Sequence, residues 1–100
     1  MIRHVVLWRL KEGAEGRSRS ENAKLIKAQL EALPALLPDI KRLEVGEDVL
    51  HEGGSWDLCL IVDFDDLEAL KRYQDHPEHL KVADLVARTR ELRAAVDYTV

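Results

Sequence analysis

The chain has 100 residues, room for one domain expected to span residues 1–100. Hydrophobic residues make up 46% and charged residues 34%, a balance that excludes a disordered chain and predicts helices with solvated outer faces. The formal net charge is −4, and no apolar run approaches the roughly 20 residues of a membrane span, so neither nucleic acid nor membrane is expected as a partner.

The first ten residues read as a strand. Ile2, His4, Val6, Trp8 and Leu10 fall on one face, and Arg3, Val5, Leu7 and Arg9 on the other. Both faces are apolar in the middle, which predicts a central strand covered on both sides. The strand pattern begins at once, with no small-residue cleavage site, so a cytoplasmic location is expected. Glu12–Arg17, with Gly13 and Gly16, reads as a loop. Ser18 and Glu21 match a capping box. Behind them Ala23, Ile26, Leu30, Leu33 and Leu37 recur at helical spacing, and Pro34 predicts an end near Leu33.

A second strand is expected within Ile40–Leu50, with Leu43, Val45 and Val49 on one side and a bulge or bend at Gly46. Glu52–Ser55 reads as a hairpin connection. Trp56–Phe64 is the most apolar strand, with Trp56, Leu58, Leu60, Val62 and Phe64 on one face. A helix starts at Asp65–Asp66 and ends by His76, and Pro77 opens a third helix carrying Leu80, Val82, Leu85, Val86 and Leu92. Ala94–Val100 closes the chain as a strand. The order β-α-β-β-α-α-β predicts a ferredoxin-like α+β fold: a four-stranded antiparallel sheet with helices on one face and the two most apolar strands at its centre. The bare face would carry Val5, Leu7, Cys59 and Ile61, and a second copy of the chain is the simplest cover for it.

Several stretches then stand out together. Met1–Lys11, Ser55–Leu60, the block Tyr73-Gln74-Asp75-His76-Pro77-Glu78-His79, and Asp97–Val100 resemble the stress-responsive dimeric A/B barrel (Dabb) proteins. The resemblance covers nearly the whole chain, and the Tyr-x-x-His-Pro-x-His block with the early His4 is its most specific part. It implies a homodimer whose sheets pack face to face into an α/β barrel, with a small cavity in each subunit between sheet and helices. One plant branch of that family consists of cofactor-free polyketide cyclases, and the resemblance places their catalytic tyrosine and histidine at Tyr73 and His79, with His4 in the same pocket. Leu58 stands where that branch carries another pocket histidine.

The residues fit such chemistry on their own terms. Histidine titrates near neutral pH and suits proton transfer, and a phenol can donate to a developing enolate oxygen. His79 shares a helix stripe with Val82 and Val86, and the Pro77 break lets Tyr73 approach it. The structural alternative is that His4 is a hydrogen-bonded core residue, Tyr73 packs and His79 caps a helix end. His76 fits best as the residue leading into the third helix, and His51 as a solvated loop residue. His76 and His79 lack a third ligand, so no metal is expected, and the absence of a phosphate loop predicts no organic cofactor. Asp57 is read as structural, paired with Arg3, Arg9 or Lys11, and Cys59 as an inert buried thiol. Lys81, Arg88, Arg90 and Arg93 read as a solvated helix face, and Trp8 and Trp56 as lining for an aromatic ligand or as core. Two main functions fit: a homodimeric barrel binding a small apolar or aromatic molecule without catalysis, and a cofactor-free proton-transfer enzyme of cyclase-like type. Cofactor-free oxygenation, as in other dimeric α/β barrels, is the third.

Overall fold

A computed structural model describes residues 1–100. Strand β1 (Ile2–Leu10) is followed by a small hairpin, β2 (Gly13–Ala14) and β3 (Arg17–Ser18). Then come α1 (Arg19–Glu31), a 3-10 turn at Leu33–Ala35, β4 (Arg42–Glu47), β5 (Leu58–Phe64), α2 (Leu67–Asp75), α3 (Pro77–Thr89) and β6 (Arg90–Thr99). The main sheet has the order β4-β5-β1-β6 with antiparallel pairing throughout. This is the expected ferredoxin-like α+β fold, with β1 and β5 at its centre.

Local chemistry explains most element boundaries. Ser18 caps α1 with both bonds of a capping box: its hydroxyl accepts from the Glu21 N–H at 3.1 Å, and its own N–H donates to the Glu21 carboxylate at 2.9 Å. The loop at 12–17 is a tight hairpin, whose Glu15 and Gly16 both adopt positive φ, 55° and 72°; this is the geometry two-residue hairpins prefer. Asp66 caps α2 through the Ala69 N–H at 2.9 Å. His76 ends α2 and caps α3, its Nδ1 accepting from the Glu78 N–H at 3.1 Å, with Pro77 in the first turn as expected.

The core lies between the sheet and the helices. Val6, Trp8 and Leu10 of β1 meet Leu58, Leu60, Val62 and Phe64 of β5, beneath Ile26, Leu30, Tyr73, Val82 and Val86. The opposite sheet face has no helix over it. There Val5, Leu7 and Arg9 lie beside Cys59 and Ile61 of β5 and Leu92, Ala94, Val96 and Tyr98 of β6. Leu7, Leu92, Val96 and Tyr98 are all exposed.

Several boundaries differ from expectation. Helix α1 stops at Glu31, and Leu33 and Leu37 are buried from the irregular segment beyond it. The second strand is shorter than 40–50, and Val49 is 89% exposed. Gly46 pairs regularly with Cys59 and no bulge occurs there. The irregularity lies instead between β1 and β6, where Arg9 pairs with Leu92 but Leu10 pairs with Arg90, leaving Glu91 as the extra residue. Leu92 is not helical: Arg90 turns extended at φ −81°, ψ 145°, and begins β6 there.

Candidate functional site

The helix-facing side of β1 carries His4, Val6 and Trp8 under the junction of α2 and α3. A cavity of about 230 Å³ opens there, and His4, Tyr73 and His79 all line it. Val6, Leu60, Val82 and Val86 supply apolar wall. The sequence pattern brings these three polar residues together because His4 alternates with core residues, Tyr73 lies two residues before the end of α2, and His79 sits in the first turn of α3.

Backbone geometry fixes the His79 ring. Its Nδ1 lies 3.0 Å from the carbonyl oxygen of Gln74, in the last turn of α2. A carbonyl only accepts, so Nδ1 carries the hydrogen and Nε2 keeps its lone pair, with no hydrogen bond to the protein. Burial holds the His79 imidazole below its usual pKa, and the neighbouring His4 and Arg93 act in the same direction against the Gln74 bond and Asp75. His79 is therefore a neutral base at neutral pH.

Tyr73 is 1% exposed and packs its ring against Phe64, with centroids 5.0 Å apart, and against His79. Its hydroxyl is buried without any hydrogen-bond partner, and burial pushes the phenol above its usual pKa, so it stays a donor. An unpartnered buried hydroxyl costs about 1–3 kcal/mol. The Trp8 indole Nε1 is the other buried side-chain atom without a partner, and Trp8 lines the same cavity.

His4 is 4% exposed, and its Nδ1 donates to the Asp97 carboxylate. Asp97 belongs to β6 and lies directly opposite His4 in register. The sequence singles out Asp97 only as the start of the Asp97–Val100 stretch; the β1–β6 register is what makes it the partner of His4.

Other expectations need correction. Arg90 and Arg93 are not part of a solvated helix face: both belong to β6 and line the cavity. Lys81 and Arg88 do lie on the outer face of α3, bonded to Glu78 and to Asp84. Trp56 precedes β5 and lies beside Leu7, Gly46 and Cys59 on the uncovered side of the sheet, away from the cavity. Asp57 pairs with none of the three cations proposed for it; it accepts the Leu10 N–H at 2.7 Å, while Arg3 pairs with Asp63 at 2.8 Å. Cys59 is partly buried, and desolvation, with the charge of Glu44, pushes its thiol up. No three His, Cys, Asp or Glu side chains are grouped to hold a metal ion, and no helix is long and apolar enough to cross a membrane.

The same architecture recurs in known proteins. A dimeric protein of unknown function with a ferredoxin-like fold from Bacteroides fragilis superposes with a TM-score of 0.84 at 34% identity, covering 99% of this chain and 95% of that one. An uncharacterised protein of Streptomyces coelicolor is 33% identical over 79 residues, 79% of each chain. A hydroxynitrile lyase from Passiflora edulis shares the fold with a TM-score of 0.81 at 18% identity, covering 99% and 92% of the two chains. Residues 2–100, from the first residue of β1 to the last of the chain, match the stress responsive A/B barrel domain, and the chain belongs to that family.

Proposed function

We propose that the chain works as a homodimer in which each subunit's cavity binds a ring-sized molecule and moves a proton at a carbon beside a carbonyl, without a cofactor. The observation that carries this reading is the pairing, in one cavity, of a neutral His79 whose Nε2 lone pair is free with an unpartnered, buried Tyr73 hydroxyl. His79 Nε2 takes the carbon-bound proton, the C–H electron pair moves into the new C=C bond, and the carbonyl oxygen becomes an enolate that accepts from the Tyr73 O–H. His4, held by Asp97, adds a third polar side chain to the same cavity. The size is adequate, since an apolar cavity of about 150 Å³ already holds benzene. The homodimer rests on the exposed apolar face of Leu7, Leu92, Val96 and Tyr98 and on the dimeric state of the Bacteroides relative.

Phenylacetone in deuterated buffer tests the chemistry. Wild-type protein should speed deuterium incorporation beside the carbonyl above the buffer rate, and His79→Ala should remove the acceleration. If phenylacetone occupies the cavity and the exchange rate stays at the buffer value, the chain is a binding barrel without turnover.

A further inference from the structure

The nine arginines of the chain divide sharply by partner. Arg3, Arg9, Arg19, Arg42, Arg72 and Arg88 each face a carboxylate, and Arg17 donates to the Asn22 side chain. Arg90 and Arg93 have no side-chain partner, and both line the cavity of His4, Tyr73 and His79. Their common placement is unusual for a strand. Residues three apart normally face opposite sides of a sheet. Here the extra residue, Glu91, shifts the phase, so that Arg90 pairs with Leu10 and Arg93 with Trp8, and both share the helix-facing side. The Trp8 indole N–H on that side is buried and unpartnered, and Trp8 itself is 6% exposed. Two arginines without a side-chain partner and a tryptophan with an orphaned indole donor thus line, on neighbouring register positions, the same cavity as His4, Tyr73 and His79.

We propose that these three residues form an anion subsite, and that the cavity takes a ligand with an apolar ring and a carboxylate, the carboxylate bound by Arg90, Arg93 and the Trp8 indole N–H. The inference rests on the reading of the cavity as a ligand site and names its substrate class: a ring-sized oxoacid, with its carbonyl toward Tyr73. A carboxylate offers the acceptors that all three donors lack, and guanidinium–carboxylate bonds are charge-assisted. A neutral ligand of the same shape would leave half-buried Arg90 and exposed Arg93 to water and forgo those charge-assisted bonds. The field of Arg93 already reaches His79, whose pKa it depresses, so a bound carboxylate would also make His79 a stronger base.

Phenylacetate and its neutral isostere phenylacetamide are suitable probes, titrated into the full chain by calorimetry and by the two indole N–H resonances. Phenylacetate should bind about 10- to 100-fold tighter than the amide and shift the Trp8 indole N–H but not that of Trp56. Arg90→Gln/Arg93→Gln should abolish the preference, bringing phenylacetate down to the affinity of the amide. Equal affinity for the two probes, or a preference that survives the double substitution, would overturn the anion subsite while leaving the cavity a ligand site. If phenylacetate and phenylacetamide both fail to bind, the subsite falls and so does the cavity's role as a ligand site. A loss of deuterium exchange with phenylacetate binding intact would instead remove only the proton-transfer chemistry.

Discussion

The rings of Tyr73 and His79 lie 4.4 Å apart, inclined at 48°, although they belong to two helices separated by His76 and Pro77. The contact exists because α2 and α3 share a single capping residue. His76 stops one helix and starts the next, so the last turn of α2 and the first turn of α3 face the same cavity. The Gln74 carbonyl, left without a helical partner at the end of α2, is then within reach of the His79 Nδ1–H.

This arrangement sets the pH dependence of the chemistry. A base with a depressed pKa loses activity only on the acid side, so proton transfer should rise with pH to a plateau, with a midpoint below the usual histidine value of about 6.5. Arg93→Gln removes one of the nearby positive charges that depress His79 and should move that midpoint to higher pH. Titration of the His79 ring proton by NMR reads both shifts. His79→Ala should cost about 10²–10⁴ in rate with the dimer intact, and His4→Ala should cost less.

Tyr73→Phe separates stability from turnover. The ring contacts with Phe64 and His79 survive, and the variant removes a buried hydroxyl that has no partner. Urea unfolding should show unchanged or increased stability, up to about 1–3 kcal/mol. Deuterium exchange should fall, because the enolate loses its donor. A stability loss of the same size would show that the hydroxyl is bonded in solution.

Leu7→Asp tests the uncovered sheet face. Burying one such side chain contributes roughly 1.5–3 kcal/mol, and a two-fold axis counts it twice. Sedimentation should show the wild-type protein at twice the chain mass and the variant as monomer or aggregate. A monomeric wild-type protein at micromolar concentration would refute the dimer.

Acid stability should depend on Asp63. Its carboxylate accepts from Arg3 Nε at 2.8 Å and Nη2 at 3.0 Å, and these bonds hold it below the usual carboxylate range. A depressed folded pKa means the contribution is complete above the unfolded value of about 3.9 and is lost as pH falls toward the folded one. Asp63→Asn should therefore destabilise the protein at neutral pH and flatten the decline below about pH 4, as urea midpoints across pH would show.

Much of the fold was legible because its signals are local. Alternation marked β1, a hydroxyl and a carboxylate three residues apart marked the start of α1, and proline marked the helix junction that joins Tyr73 to His79. What escaped depended on pairing between distant segments. Asp97 becomes the partner of His4 only once β6 lies beside β1 in the observed register. Arg93 and Leu92 continued a helical pattern on paper, because helical spacing cannot show that the backbone turns extended at Arg90. Trp56 alternated correctly with Leu58, but the ladder begins two residues later, so alternation no longer decides its side.

The bulge at Glu91 sets the charge beside the cavity through the phase of the strand alone. Were the ladder regular with every residue kept, Glu91 would fall opposite Leu10 on the cavity side and Arg90 opposite Lys11 on the other face. The bulge thus sets a guanidinium rather than a carboxylate beside Arg93, with no residue substituted. Deleting Glu91 would leave Arg90 opposite Leu10 in an unbroken ladder, so a chain lacking this extra residue should straighten β6 and keep the cavity's charge.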